Sequence, residues 1–282
     1  MTLSTIGVAV TRDGFDHLKD WICSEDRPIE IQDFVAPDLI AGDCSAIIAH
    51  YKSALSEHKG HRGIHGPFFG LDLANPDYDM RKLVQQRLLK GLEIAEALSA
   101  KHMVVHSPFS YWDLLNRYNY PNSIPSMNAA AADCLAGVLP RAADIGCDLV
   151  IENIEDTDPT MRVALVQEIG HPNLKVSIDT GHADLAHGQF TAPPVVDFIA
   201  AAAGYLGHVH LQDADGYADR HWHPGQGRLN WQPVLQAIDA LDETPHLIIE
   251  VRDDMASIPH TARWLGDLAR SSLLTPPTLS TK

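Results

Sequence analysis

Eight short apolar segments, rich in β-branched residues, recur along the chain and limit its possible folds more than any other feature. Segments with helical spacing of apolar residues separate them. Several are apolar almost without interruption, as expected of parallel strands that are buried on both faces. The eight predicted strands cover residues 6–10, 29–34, 63–67, 103–106, 149–152, 175–179, 208–211 and 247–251.

Regular alternation of strands and helices predicts an α/β fold with parallel strands joined by crossover helices. Eight such units in 282 residues match a (β/α)8 TIM barrel, which typically needs about 250 residues. A doubly wound open sheet is the alternative, but no GxGxxG or GxxxxGK[ST] motif follows an early strand. We expect a single domain over residues 1–274 and a disordered tail over 275–282, which contains two prolines.

Between the predicted strands, helical periodicity is clearest over residues 82–100, 129–145, 195–203 and 231–241. Asn230 is a plausible cap for the last of these helices. The longest irregular stretch, residues 107–126, follows the fourth strand, and its aromatic content suits a loop that covers a pocket.

Six successive predicted strands end in residues that can bind metals or transfer protons. In a barrel these ends converge on one mouth. A buried glutamate after three apolar residues is costly without a partner, and a metal ion would remove that cost. The mixture of carboxylate and imidazole suits Mn, Zn, Co, Mg or Fe(II). The residues are His65, His106, Glu152, Asp179 with the nearby His182, His210, and Glu250.

Each of these residues also has a structural interpretation, since a lone strand-end histidine is commonly a hydrogen-bonded core residue. Asp179 could equally cap the following helix. His208 and His210 point to the same side of their strand, but only His210 lies at the predicted mouth. Convergence of six strand ends favours a functional site.

The loop after the seventh strand carries two more candidates, Asp219 and His221. Their spacing of two residues would aim both over the mouth if the segment is extended. His223 could share that direction. The alternative is a solvated, glycine-rich loop.

Charge and cysteine content exclude several classes of protein. A net charge of −16 opposes binding to a phosphate backbone, so we expect no nucleic-acid partner. No apolar run approaches the ~20 residues needed to cross a membrane, and no secretory signal is visible. The four cysteines lack CxxC pairing and predict reduced thiols in a cytoplasmic protein. Four histidines with polar neighbours are expected at the surface: His17, His50, His58 and His61.

Seven segments in order, IHGP, VVHSP, VIEN, SIDTGH, HVHLQDADG, DRHWHPGQG and IIEV, resemble the xylose-isomerase-like TIM barrel superfamily. That superfamily includes sugar phosphate isomerases and epimerases and endonuclease IV. The likeness covers nearly the whole chain, most sharply residues 62–253. It implies one divalent metal held by Glu152, Asp179, His210 and Glu250, with Glu152 and Glu250 also acting as the catalytic proton-transfer pair.

Comparison with the endonuclease branch implies further ligands at His65, His106, His182, Asp219 and His221. In the epimerases His182 would instead orient the substrate, so these five residues are predicted to bind substrate or a second metal. Two positions depart from the sugar branch. Its PGEG-like turn reads PGQG at 224–227, and Gly216 stands where the epimerases carry an arginine.

The sequence therefore predicts an isomerase or epimerase that depends on one divalent ion (Mn, Zn, Co or Mg) and no organic cofactor. Its partner would be a small polyhydroxylated carbonyl compound: a sugar, sugar phosphate or inosose. The chain could form a homo-oligomer. Alternatives are an endonuclease IV-like phosphodiester hydrolase, a dehydroshikimate dehydratase-like lyase, and a non-catalytic carbohydrate-binding subunit.

Overall fold

A computed structural model describes residues 4–272, which form a closed barrel of eight parallel strands paired in chain order. The barrel closes between the first and last strands, where Gly7 pairs with Ile248. The predicted TIM barrel is confirmed. Its strands are β1 (Gly7–Val10), β2 (Ile29–Ile31), β3 (Arg62–His65), β4 (His102–His106), β5 (Asp148–Glu152), β6 (Leu174–Asp179), β7 (Leu206–Leu211) and β8 (His246–Ile249).

Helices surround the barrel, and a short 3-10 helix, Met255–Ser257, precedes the last of them. The α-helices are α1 (Arg12–Ser24), α2 (Pro37–Ala41), α3 (Ser45–Ala54), α4 (Tyr78–Leu98), α5 (Tyr111–Asn116), α6 (Ser123–Ala136), α7 (Leu139–Ile145), α8 (Thr160–Ile169), α9 (Thr180–Phe190), α10 (Val195–Ala201), α11 (Trp231–Asp239) and α12 (Ile258–Ser272).

Two predictions about helices are corrected. The predicted helix over 129–145 is divided between α6 and α7. Pro140 accounts for the break, because a proline clashes with the carbonyl four residues earlier, here at Ala136, the last residue of α6. The stretch 107–126 contains α5, which begins with a capping box between Ser110 and Asp113.

The core lies between the strands and the helices, as in Val8, Phe15, Ile64 and Leu88, each at most 1% exposed. The four cysteines are free thiols. Within the described part of the chain, no helix has the length and apolar character to cross a membrane. The predicted tail, 275–282, lies outside the described residues.

Candidate active site and metal centre

The nine side chains selected from the sequence meet at the carboxyl-terminal mouth of the barrel. Eight are at most about one-fifth exposed at the side chain, and the ninth, Asp219, is 45% exposed. The residues on strands are His65 at the end of β3, His106 at the end of β4, Glu152 at the end of β5, Asp179 at the end of β6 and His210 in β7. Those outside strands are Glu250 just after β8, His182 in the first turn of α9, and Asp219 and His221 in the loop after β7.

Four of these residues form a central group: Glu152, Asp179, His210 and Glu250 each place one potential ligand atom within 4.8 Å of the others. His210 Nδ1 lies 2.9 Å from Glu152 Oε1 and 3.3 Å from Glu250 Oε2. All four are buried. This donor set, three carboxylates and one imidazole, fits a divalent cation such as Mn²⁺ or Zn²⁺.

Two buried carboxylate oxygens in the central group have no hydrogen-bond partner, Glu152 Oε2 and Asp179 Oδ2. The other oxygen of Asp179 accepts from the His182 backbone N–H at 2.7 Å, so this residue does cap α9. The helix cap and the free oxygen coexist on one side chain. Because unpaired buried polar atoms are rare and costly, these two oxygens support a cation at this position.

Two further groups flank the central one. His65, His106 and Glu152 form the first, in which Glu152 Oε2 lies 3.5 Å from His65 Nε2. His182, Asp219 and His221 form the second, in which the Asp219 carboxylate lies 3.3 Å from His182 Nε2 and 3.0 Å from His221 Nε2. The structure thus brings all predicted site residues into three adjacent groups, and Glu152 belongs to two of them.

Backbone carbonyls orient two of the flanking histidines. His65 Nδ1 lies 2.9 Å from the carbonyl oxygen of Gly66, and His182 Nδ1 lies 2.9 Å from that of Asn153. A carbonyl only accepts, so both Nδ1 atoms donate. Their Nε2 atoms are left facing the carboxylates, which is the arrangement commonly found around metal-binding histidines.

The electrostatics of the mouth favour a positive ion. Burial raises the pKa of Asp179 to about 6, and the carboxylates of Glu152 and Glu250 add to that effect against His182. Burial would lower the pKa of His210, but the surrounding carboxylates, Glu250 first, raise it well above its ordinary value. The carboxylates of the central group therefore give it excess negative charge, which a bound cation would neutralise.

Sequence reasoning missed three amides around the site. Gln32 Nε2 donates a short hydrogen bond to Glu250 Oε1. Gln212 Nε2 contacts both Asp179 and Asp219, at 3.0 and 3.2 Å. Asn153 exchanges hydrogen bonds with the Asp179 backbone. Asn153 directly follows the predicted end of the fifth strand, and that position is the signal that could have identified it. Gln32 lies inside the predicted second strand, 29–34, and directly follows β2 only in the structure.

The loop after β7 is not extended, which was the condition under which a spacing of two residues would aim Asp219 and His221 the same way. His221 has a left-handed backbone, with φ of 49°, and Trp222 pairs with Asp213 across the loop. Asp219 and His221 still meet, because their side chains converge around the turn. His223 points elsewhere, to Thr261 Oγ1 at 2.7 Å.

The prediction that His58 and His61 lie at the surface is wrong. His58 is 6% exposed and its Nε2 lies 2.8 Å from the Arg27 carbonyl oxygen. His61 is partly buried and contacts His102, with 2.8 Å between the two ring nitrogens. His17 is exposed, as predicted, whereas His50 is half-buried near Asp16.

Comparisons with known proteins agree with this architecture. A family model described as xylose isomerase-like TIM barrel matches residues 29–268. The chain is 27% identical over 205 residues to the uncharacterized protein MJ1311 of Methanocaldococcus jannaschii, covering 69% of this chain and 66% of that protein. It is 26% identical over 155 residues to D-psicose 3-epimerase of Agrobacterium fabrum, covering 53% of this chain and 50% of that enzyme. The aligned regions thus span from half to about two thirds of these relatives.

A solved structure resembles nearly the whole chain. The TTHB071 protein of Thermus thermophilus, studied after soaking with ZnCl2, superposes with a TM-score of 0.73 at 27% identity. The match covers 95% of this chain and 98% of that protein.

Proposed function

The chain belongs to the xylose isomerase-like TIM barrel family, and we propose that it is a divalent-metal-dependent epimerase or isomerase. Its substrate would be a small polyhydroxylated carbonyl compound. Sugar epimerases among its relatives support the reaction class. The observation that carries the proposal is the central group, in which two glutamates share one histidine nitrogen as a neighbour.

Glu152, Asp179, His210 and Glu250 would hold the cation. When bound, the ion would polarise the substrate carbonyl and so acidify the adjacent C–H. Glu152 ends β5 and Glu250 directly follows β8. These two strands are not neighbours in the closed barrel, so the two side chains would approach a substrate from different sides.

The proton transfer then needs only these two side chains. One glutamate, as the carboxylate, removes the proton next to the carbonyl and becomes the acid form. The other, carrying a proton of its own, donates it to the opposite face for epimerisation, or to the neighbouring carbon for isomerisation, in which the hydroxyl proton also passes to the former carbonyl oxygen. Exchange with water then restores the starting protonation of both glutamates. Gln32 holds Glu250 Oε1, and Glu152 Oε2 is free of hydrogen bonds, so the two carboxylates face the substrate in different environments.

Solvent exchange tests this mechanism. A panel of ketoses and inososes is incubated in D2O with the metal-loaded protein, and products are analysed by NMR and mass spectrometry. We expect deuterium at the carbon next to the carbonyl. Glu152→Gln and Glu250→Gln should each lower turnover by about 10²-fold or more. Exchange that persists in both variants contradicts the proposal, and loss of water from the product indicates a lyase instead.

A second candidate, a multi-metal phosphodiester hydrolase, is favoured by the three adjacent groups at the mouth. Paired and clustered ions stabilise attacking and leaving oxygens in such enzymes. The net charge of −16 opposes a DNA substrate. Incision of a duplex with an abasic site, together with three bound ions per chain, would select the hydrolase over the epimerase.

A cytoplasmic location is also part of this proposal. The four free cysteines, of which Cys44, Cys134 and Cys147 are buried, support a reducing compartment.

A further inference from the structure

Glu30 is a carboxylate buried beneath the mouth, in the middle of β2. It is fully buried and contacts three histidines: its oxygens lie 2.9 Å from His102 Nε2, 3.1 Å from His208 Nε2 and 2.9 Å from His210 Nε2. These partners come from β4 and β7, so the contacts cross the interior of the barrel. Interiors of TIM barrels are normally filled by apolar side chains, and this polar layer requires an explanation.

The neighbouring strand makes room for this layer. Gly63 of β3 pairs with Glu30 on one side and with His102 on the other. A side-chain carbon at Gly63 would lie 2.0 Å from the His102 ring. The absence of a side chain there lets His102 cross β3 and reach Glu30.

Hydrogen-bond partners indicate which ring nitrogens of the histidines around Glu30 carry protons. An ionised carboxylate only accepts, so the Nε2 atoms of His102 and His210, which hydrogen-bond to Glu30, are N–H groups. The second nitrogens of two rings have neutral partners: His102 Nδ1 lies 2.8 Å from His61 Nε2, and His208 Nδ1 lies 2.8 Å from Ser177 Oγ. His210 differs, because its Nδ1 faces Glu152 and Glu250 in the central group.

We propose that Glu30 is a positioning residue for the metal ligand His210. It accepts the Nε2 proton at 2.9 Å, fixes the ring, and thereby presents the Nδ1 lone pair to the cation. A carboxylate in this place also makes the imidazole a stronger ligand. The inference rests on the proposed function, because it takes the central group as a cation site.

Glu30 differs from the other orienting groups in one useful respect. His65 and His182 are oriented by backbone carbonyls, which no substitution removes. The orientation of His210 depends on a side chain and can be altered by mutation.

Zn²⁺ affinity, measured by competition with a chromophoric chelator, tests the proposal without any assay of activity. Glu30→Gln keeps the size but removes the charge and adds N–H donors, so we expect affinity about 10- to 100-fold weaker. The matched control is His102→Gln, which alters the contact with Glu30 Oε2 and lies outside the mouth. It should keep the wild-type affinity, with melting temperatures of the apo proteins measured for both variants.

Long-range ¹H–¹⁵N spectra of the Zn²⁺-loaded wild-type protein give a second test that needs no stable Glu30 variant. The His210 signal, identified by its loss in His210→Gln, should show a proton on Nε2 and the metal on Nδ1. The reverse assignment overturns the proposal, as does equal Zn²⁺ affinity of Glu30→Gln and wild type. A wild-type protein that binds no Zn²⁺ overturns the proposed function as well, whereas unchanged affinity in Glu30→Gln overturns this inference alone.

Discussion

Replacing Gly63 with alanine should strongly destabilise the barrel, because the added carbon would lie 2.0 Å from the His102 ring. Contacts shorter than 3.0 Å are essentially never tolerated, so the ring has to retreat by about 1 Å. That movement disrupts its hydrogen bonds to Glu30 and His61, at 2.9 and 2.8 Å. Overpacking costs about 1–3 kcal/mol, and losing a hydrogen bond to a buried charge adds about 1.5–3 kcal/mol.

The expected loss, about 2.5–6 kcal/mol, is a large part of the roughly 5–15 kcal/mol typical of a domain. Urea unfolding of the metal-free protein measures it as a lower midpoint. Gly266→Ala is the control. This residue lies within α12, its nearest neighbour is the end of Arg270 at 3.6 Å, and alanine there should be neutral or stabilising.

A double-mutant cycle tests whether the clash with His102 causes the loss of stability in Gly63→Ala. In a His102→Ala background the clash is gone, so Gly63→Ala should cost much less than it does in the wild-type protein. An equal cost in both backgrounds would refute the reasoning, and so would a Gly63→Ala protein as stable as wild type.

Two other predictions concern the metal and the pH. Protein purified without chelators should carry divalent metal by elemental analysis, and adding Mn²⁺ or Zn²⁺ to the apo form should raise its melting temperature. Asp179→Ala and His210→Ala should lower occupancy while the exposed His17→Ala does not, and equal losses in all three would contradict the assignment. Burial, with nearby histidines, lowers the pKa of His61 to about 2 and that of His246 to about 4. The unfolded chain binds these protons near pH 6.5, so the free energy of unfolding should fall as pH drops from about 6.5 to about 4, by up to ~1.4 kcal/mol per unit for each histidine. His246→Gln should reduce that slope, and an unchanged slope would contradict the assignment.

The barrel and the placement of its mouth residues could be predicted because both follow from short-range patterns. Glu152 ends an apolar run, and a barrel brings such ends together whatever lies between them. Glu250 was placed in a strand, but β8 ends one residue earlier, at Ile249. The helix α5 was missed although Ser110 and Asp113 have the spacing of a capping signal. Whether the site residues bind metal or transfer protons stays a prediction.

Contacts between residues far apart in the chain could not be predicted from the sequence. Glu30 stands between two isoleucines, the same signal of a costly buried charge that marked Glu152, but it lies mid-strand and its partners are 72 and 180 residues away. His58 was placed at the surface because its local neighbours are polar. Its ring is buried, and its Nε2 contacts the carbonyl oxygen of Arg27, 31 residues away. Neither environment is encoded in local spacing.

The sharing of Glu152 between two groups at the mouth has an evolutionary consequence. His106 and Asp219 lie at the more exposed rim of the mouth. Substituting either one removes one of the three potential ligands of a flanking group and leaves the central group intact. Substituting Glu152 damages two groups at once. A flanking group can therefore be gained or lost by a single change at the rim while the central group is inherited. Relatives that keep the central group and differ in the flanking groups would then be separated by few substitutions.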